Sequence, residues 1–123
     1  MNNAPFIGQF EQLVLTAIVR CGRNAYSVSI HEAVGQLSAP KTVALGAVYS
    51  TLDRLEDKGL ISSWLSDPTP ERGGRSKRCY RLEQNGERAL RESVLTSRRV
   101  CDALVDAWGE DIWSREWKPA RPR

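Results

Sequence analysis

The chain has 123 residues, the usual size of one domain with a modest core, and its 41% hydrophobic and 27% charged residues are typical of a folded globular protein. No apolar run is long enough to cross a bilayer, and the N-terminus lacks the pattern of a secretory signal, so we expect a cytoplasmic protein with no membrane partner. Three widely spaced cysteines and one histidine argue against a disulfide framework or a metal site, and no cofactor or enzyme motif is recognisable.

The positive charge is concentrated in one segment. The net charge is +3, and residues 60–82 carry five basic and two acidic groups, an excess of three that equals the whole net charge. The segments on either side are balanced. A local basic excess favours an anionic partner.

The first predicted helix begins near Phe10, where apolar residues recur at helical spacing, and Gly22 is placed to end it. Leu15 and Val19 fall on the opposite side of the same helix, which indicates that two different surfaces cover it, a partner chain being a candidate for one of them. The main apolar face consists of Phe10, Leu13, Val14, Ala17, Ile18 and Cys21.

Two further helices follow. Asn24 is a candidate cap for a short second helix, which Pro40 ends, and its apolar positions are Tyr26, Ile30, Ala33, Val34 and Leu37. A third helix is predicted over about 45–58, with Thr42 as a candidate cap and Gly59 as a left-handed stop. Its apolar stripe consists of Leu45, Val48, Leu52 and Leu55.

A β-hairpin with a long basic tip is predicted next. The strands are "LISSWLS" and "KRCYRL", separated by a loop rich in proline and glycine. Strand alternation would place Arg78, Tyr80 and Leu82 on one face. The other face would then carry Lys77, Cys79 and Arg81.

From Gln84 onward the pattern predicts a long amphipathic helix running to about residue 108 or beyond. Its apolar stripe is longer than a three-helix core can cover, which favours a homodimer. Pairing with a partner's first helix would also account for Leu15 and Val19. The predicted dimerisation residues are Leu15, Val19, Leu90, Val94, Cys101, Leu104, Val105 and Trp108.

Three short helices followed by a hairpin are the order of a winged helix-turn-helix, in which the third helix enters the major groove and the hairpin, or wing, touches the flanking backbone. The fold class is therefore mainly α with a small β-hairpin, a winged helix-turn-helix plus a long C-terminal dimerisation helix. We expect a DNA-binding domain over 1–83, a dimerisation helix over 84–117 and a disordered basic tail over 118–123.

Three segments resemble the PadR family of bacterial transcriptional regulators: "FEQLVLTAIVRCGRNAYSVSI", "LGAVYSTLDRLEDKGLISS" and "PTPERGGRSKRCYRLEQNGERAL". The resemblance covers about residues 6–95. It implies a homodimeric regulator of transcription, usually a repressor, that binds an inverted repeat in double-stranded DNA and is often released by a small molecule. Some relatives bind flat aromatic ligands between tryptophans, which would make Trp108 an effector-binding residue; interface core is its other role.

Two positions depart from the family pattern. Ser27 stands where glycine commonly follows the tyrosine of the second helix, and Glu83 stands where a threonine commonly caps the last helix.

The third helix carries the predicted DNA contacts. With its apolar stripe facing inward, the 100° step turns Ala47, Ser50 and Arg54 outward, with Gly46 at the edge. Small residues let the helix approach the bases. Tyr49 either reaches a phosphate or packs against the wing, and Arg54 either contacts DNA or pairs with Asp57. Lys41 and Thr42 lie beside the N-terminus of this helix, and Tyr26 and Ser27 complete the set.

On the wing, Arg72, Arg75 and Lys77 lie nearest the tip and are predicted to contact phosphates. Two other interpretations remain at this point: a winged helix used as a protein-interaction module, and a thiol-responsive regulator in which basic neighbours favour the thiolate of an exposed Cys79.

Overall fold

The computed structural model describes residues 5–67 and 76–116 and confirms a mainly helical fold with one hairpin. Two short 3₁₀ turns, Gly22–Asn24 and Glu110–Trp113, follow the first and last helices. The main elements are α1 (Gln9–Cys21), α2 (Ser27–Ser38), α3 (Leu45–Asp57), β1 (Ile61–Leu65), β2 (Arg78–Leu82) and α4 (Gln84–Trp108).

The helix stops predicted at two glycines are confirmed. Gly22 has a φ of 58° and ends α1, and Gly59 has a φ of 76° directly after α3. After α3 the N–H of Leu60 donates to the carbonyl of Leu55 at 3.0 Å, a bond that a left-handed residue makes possible. The chain then turns straight into β1.

Both predicted N-caps are wrong. α2 begins after Tyr26, whose N–H donates to the Ser29 hydroxyl at 3.1 Å, and Asn24 lies in the preceding turn. α3 begins after Ala44, which has no side-chain cap, so Thr42 does not cap this helix. Capping depends on local backbone geometry that residue type alone does not determine.

The core lies between the first three helices and the base of the hairpin. Leu15 is fully buried there by its own chain, so the prediction that it faces a partner chain is wrong. Leu45, predicted to be buried, is 37% exposed, and Thr51 is buried in the same helix. The largest fully buried side chains are Leu15, Ile30, Leu52, Leu55, Leu60, Val14, Val34 and Val48.

The hairpin is antiparallel, with Ile61 opposite Leu82 and Leu65 opposite Arg78. A third short segment joins its edge: Tyr26 forms an isolated bridge with Cys79, and the N–H of Tyr80 donates to the carbonyl of Ala25 at 2.8 Å. Cys79 and Tyr80 are therefore both buried. Because adjacent strand residues point to opposite faces, both faces of β2 are covered at this point.

α4 starts after Glu83 and crosses α1. Ser93 and Ser97 both donate to the side-chain oxygen of Gln12, the latter at 3.5 Å. Only Gly86 and Ala89 of α4 are buried within the described part of the chain. With 25 residues the helix is about 37 Å long, so its second half extends beyond the three-helix core. None of the helices described here has the length and apolar character needed to span a membrane.

Candidate nucleic-acid interface

The N-terminal half of α3 presents small residues to solvent. Gly46, Ala47 and Ser50 are exposed, while Val48 on the opposite side is fully buried. Adding a Cβ at Gly46 would meet no atom within 4 Å. The predicted outward face is therefore open, as a helix needs in order to lie close to base edges.

A hydrogen bond that the sequence did not indicate connects α2 to the turn before α3. His31 Nε2 on α2 donates to the carbonyl of Val43 at 2.6 Å. Lys41 and Thr42 are exposed in the same turn. The only sequence signal for this contact was a lone histidine on an amphipathic helix, and its partner is a backbone atom.

Two side-chain contacts lie near the start of α2, and we call their four residues the wing–helix cluster: Tyr26, Ser27, Tyr49 and Lys77. Ser27 donates its hydroxyl hydrogen to Tyr49 Oη at 3.0 Å, and Lys77 Nζ lies 3.8 Å from the centre of the Tyr26 ring. Tyr49 is 45% exposed. The first contact joins the start of α2 to α3, and the second joins the residue before α2 to the base of the wing.

Arg54 has two partners within the chain, while its side chain remains 56% exposed. Its guanidinium donates to the Thr51 hydroxyl at 3.3 Å and lies 3.9 Å from the carboxylate of Glu11, which Lys58 contacts at 2.7 Å. The contacts of Arg54 thus differ from the Asp57 pair considered from the sequence. Arg54 therefore links α3 to α1 through the carboxylate of Glu11, which it shares with Lys58.

Glu11 is the buried member of this group, with a side chain 10% exposed. Burial by itself raises the pKa of its carboxyl, but hydrogen bonds from Lys58 and the N–H of Gly8, with the charges of Lys58 and Arg54, outweigh it. The pKa is lowered below its ordinary value. Glu11 therefore binds its partners as a carboxylate.

The wing cations have different partners. Arg72 and Arg75 lie outside the described residues. Arg78 donates to the Ser63 hydroxyl at 2.9 Å, and Arg81 lies 3.7 Å from the Glu83 carboxylate and over the Trp64 ring at 5.5 Å. Among the described wing residues, Lys77 is the cation that joins the wing–helix cluster.

Cys79 is 7% exposed, so the exposed thiol that a redox-responsive interpretation needs is not present. Within residues 5–67 and 76–116, no three His, Cys, Asp or Glu side chains are placed to hold a metal ion.

α4 carries a large exposed apolar surface beyond its contact with α1. Val94 and Trp108 are about half exposed, and Cys101, Leu104 and Val105 are partly covered. The structure adds Leu95 and Val100, which the sequence reasoning missed because they lie off the main stripe. Val19 on α1 is 59% exposed.

Two helices joined by a short turn, a preceding helix that covers them and a hairpin directly after the second make up a winged helix-turn-helix, a class of DNA-binding domain. The model of the transcriptional regulator PadR-like family matches residues 14–92. The chain belongs to this family.

Solved structures agree on the fold. A PadR family transcription regulator from Clostridium difficile R20291 superposes with a TM-score of 0.67 at 24% identity, covering 81% of this chain and 98% of that one. A PadR-like transcriptional regulator from Bacillus cereus gives 0.66 at 18% identity, covering 79% and 88%. The Aeropyrum pernix ORC1 protein in complex with DNA gives 0.57 at 24% identity, covering 76% of this chain and 26% of that one. No curated protein matches the sequence significantly.

Family membership makes the chain a DNA-binding transcription regulator and not an enzyme. The resemblance seen in the three sequence segments is thereby confirmed.

Proposed function

We propose that the chain is a repressor that binds an inverted-repeat operator as a homodimer and is released by a small flat aromatic molecule. The observation that carries the proposal is the exposed, small-residue face of α3 beside the wing–helix cluster. A helix with this face can enter the major groove while hydroxyl and ammonium groups meet the adjoining phosphates.

The proposed contacts divide into two kinds. Gly46, Ala47 and Ser50 face the base edges, where close approach and one hydroxyl give sequence preference. The phosphate contacts come from Lys41, Thr42, Ser27, Tyr49 and Lys77, and from Arg72 and Arg75 at the wing tip. These position the domain and contribute affinity to every sequence alike.

The dimer accounts for the exposed apolar surface of α4. Val94, Leu104, Val105 and Trp108 would be covered by a second copy, together with Val19 on α1. A two-fold dimer presents its recognition helices to two half-sites separated by a whole helical turn of DNA. The operator is then an inverted repeat.

Release by a ligand depends on Trp108, which is 52% exposed at the end of α4. A flat aromatic molecule stacked on its indole would occupy the region where the two copies meet. Such a ligand changes the relation of the two DNA-binding domains and so weakens operator binding.

The test is fluorescence anisotropy with DNA selected from a random pool and with the DNA upstream of the chain's own gene. We expect Ala47→Leu to lower affinity for the selected sequence by tenfold or more, because the larger side chain holds α3 away from the bases. Gln36→Leu adds a leucine at another exposed helical position and should leave affinity unchanged.

The competing function, a protein-interaction module, predicts no preferred sequence in the selection and no difference between the two leucine variants. Equal, weak binding of all DNA by the unaltered protein would contradict the proposal. Unchanged melting temperatures for both variants show that the comparison concerns binding and not folding.

A further inference from the structure

In the described part of the wing, two contacts join a cation to an aromatic ring, and they differ in the elements that they connect. Arg81 and Trp64 both belong to the hairpin, and the guanidinium lies 5.5 Å from the ring centre. Lys77 belongs to the wing, but its ring partner, Tyr26, immediately precedes α2, and the distance is only 3.8 Å. The second contact therefore links the wing to the helix-turn-helix.

Backbone pairing explains why the Tyr26 ring lies under Lys77. Tyr26 is opposite Cys79 in the isolated bridge, which makes Lys77, two residues earlier, its diagonal neighbour. The N–H of Tyr80 fixes this register by donating to the Ala25 carbonyl. Long side chains at diagonal positions reach each other across an antiparallel pair.

The backbone of Lys77 is itself fixed. Its carbonyl accepts from the N–H of Ser66 at 2.7 Å, and its N–H donates to the Ser66 hydroxyl at 3.0 Å. The remaining freedom of Lys77 is in its four-carbon side chain, which carries a large rotamer entropy. The aromatic ring restricts that freedom by attracting the ammonium group to its face.

We propose that Tyr26 is a positioning residue: it raises DNA affinity by holding the Lys77 ammonium in place for a phosphate, and it acts through Lys77 and not by a contact of its own with DNA. This inference rests on the proposed DNA-binding surface. Ser27, the next residue in the chain, donates to Tyr49 on α3, so Tyr26 directly precedes a residue of the proposed DNA-binding surface. A side chain ordered before binding loses less entropy on binding.

The test is a double-mutant cycle in DNA affinity, measured at several salt concentrations. Tyr26→Leu should weaken binding about two- to fivefold, the ratio that corresponds to an exposed cation–ring contact. In a Lys77→Ala background, Tyr26→Leu should not lower DNA affinity any further. Lys77→Ala alone should lower the slope of log affinity against log salt by about 0.9, the value for one phosphate contact. Tyr26→Phe keeps the ring and should remain within twofold of the unaltered protein.

Trp64→Leu is the matched control, because it removes the ring that contacts Arg81, a cation that is not proposed to meet DNA. We expect this variant to have unchanged DNA affinity. The proposal is overturned if Tyr26→Leu has no effect or costs the same in both backgrounds, or if Tyr26→Phe loses as much as Tyr26→Leu, which would indicate a direct contact of the hydroxyl. Tyr26→Gln serves if the leucine variant does not fold. Absence of DNA binding by the unaltered protein would instead refute the proposed function.

Discussion

At the scale of single residues, Glu11 links two helices through one carboxylate. Its oxygens accept from the N–H of Gly8 at 2.9 Å and from Lys58 at 2.7 Å, and Arg54 lies nearby. Because these partners bind the charged form, the pKa of Glu11 is lower in the folded chain than in the unfolded one. Folding and ionisation of this group are therefore coupled.

We expect Glu11→Gln to lower the free energy of unfolding by about 1 kcal/mol at neutral pH, since a charged hydrogen bond to a half-exposed lysine is lost. In the unaltered protein this contribution is fully present above the ordinary carboxyl pKa of 4.5 and is lost as the pH falls through the lower folded value. Urea unfolding from pH 7 down to pH 3 measures both effects.

The matched control is Glu32→Gln, which neutralises an exposed carboxylate on α2. It should leave stability at pH 7 within about 0.5 kcal/mol of the original. If the two glutamine variants lose stability in parallel as the pH falls, the acid dependence does not come from Glu11.

At the scale of elements, α4 approaches the residue before β1 through a glycine. A Cβ at Gly86 would lie 2.0 Å from the backbone oxygen of Leu60, and the N–H of Glu83 donates to the same oxygen at 2.9 Å. The start of α4 is thus pressed against the residue that follows the α3 stop. There is no room for a side chain at this point of contact.

Gly86→Ala should destabilise the fold by about 3 kcal/mol, because the backbone of Leu60 must move even though alanine favours helix more than glycine does. Gly35→Ala in α2 is the control, since a Cβ there meets nothing within 4 Å. It should gain up to about 1 kcal/mol. Thermal unfolding of both variants gives the comparison; a Gly86→Ala protein as stable as the original would contradict the close approach.

Elements could be predicted from the sequence where the signal is local. The spacing of apolar residues indicated four helices, and the positions of Gly22 and Gly59 indicated the ends of α1 and α3. The errors concern the two N-caps, which depend on local backbone geometry, and contacts between distant parts of the chain. Leu15 is covered by its own core, and Cys79 is covered by a short segment before α2 that has no strand-like sequence. The partner of Arg54 is Glu11, 43 residues away in the sequence, and helical spacing cannot indicate such a distant pair.

The candidate site shows the same division. The exposed positions Gly46, Ala47 and Ser50 follow from helical geometry alone, so the sequence was sufficient. The cation–ring contact of Tyr26 with Lys77 and the brace from His31 to Val43 depend on how three elements are packed together. The wing tip, with Arg72 and Arg75, remains a sequence prediction.

At the scale of the whole molecule, the exposed apolar surface of α4 predicts the oligomeric state. Val105→Arg places a charge on this surface without touching the core, because Val105 is only partly covered and lies 16 residues beyond buried Ala89. We expect a folded monomer by sedimentation and a loss of at least tenfold in operator affinity, since one half-site must then be bound alone.

Leu15→Ala distinguishes interface from core. It should cost about 2–5 kcal/mol of stability at every protein concentration, because the side chain is buried within one chain. A stability loss that depends on concentration would place Leu15 at the dimer contact after all, and a Val105→Arg protein that sediments as a dimer would exclude α4 from it.

The contact of Gln12 with Ser93 and Ser97 fixes the direction in which α4 leaves the DNA-binding part. Trp108 lies eleven positions after Ser97, so the helix continues for about 16 Å past this point. A tilt of about 10° there moves the far end by about 3 Å, close to the 3.4 Å rise of one base pair. In the proposed homodimer, a change in these hydrogen bonds of Gln12 would therefore change the distance between the two recognition helices by about the rise of one base pair.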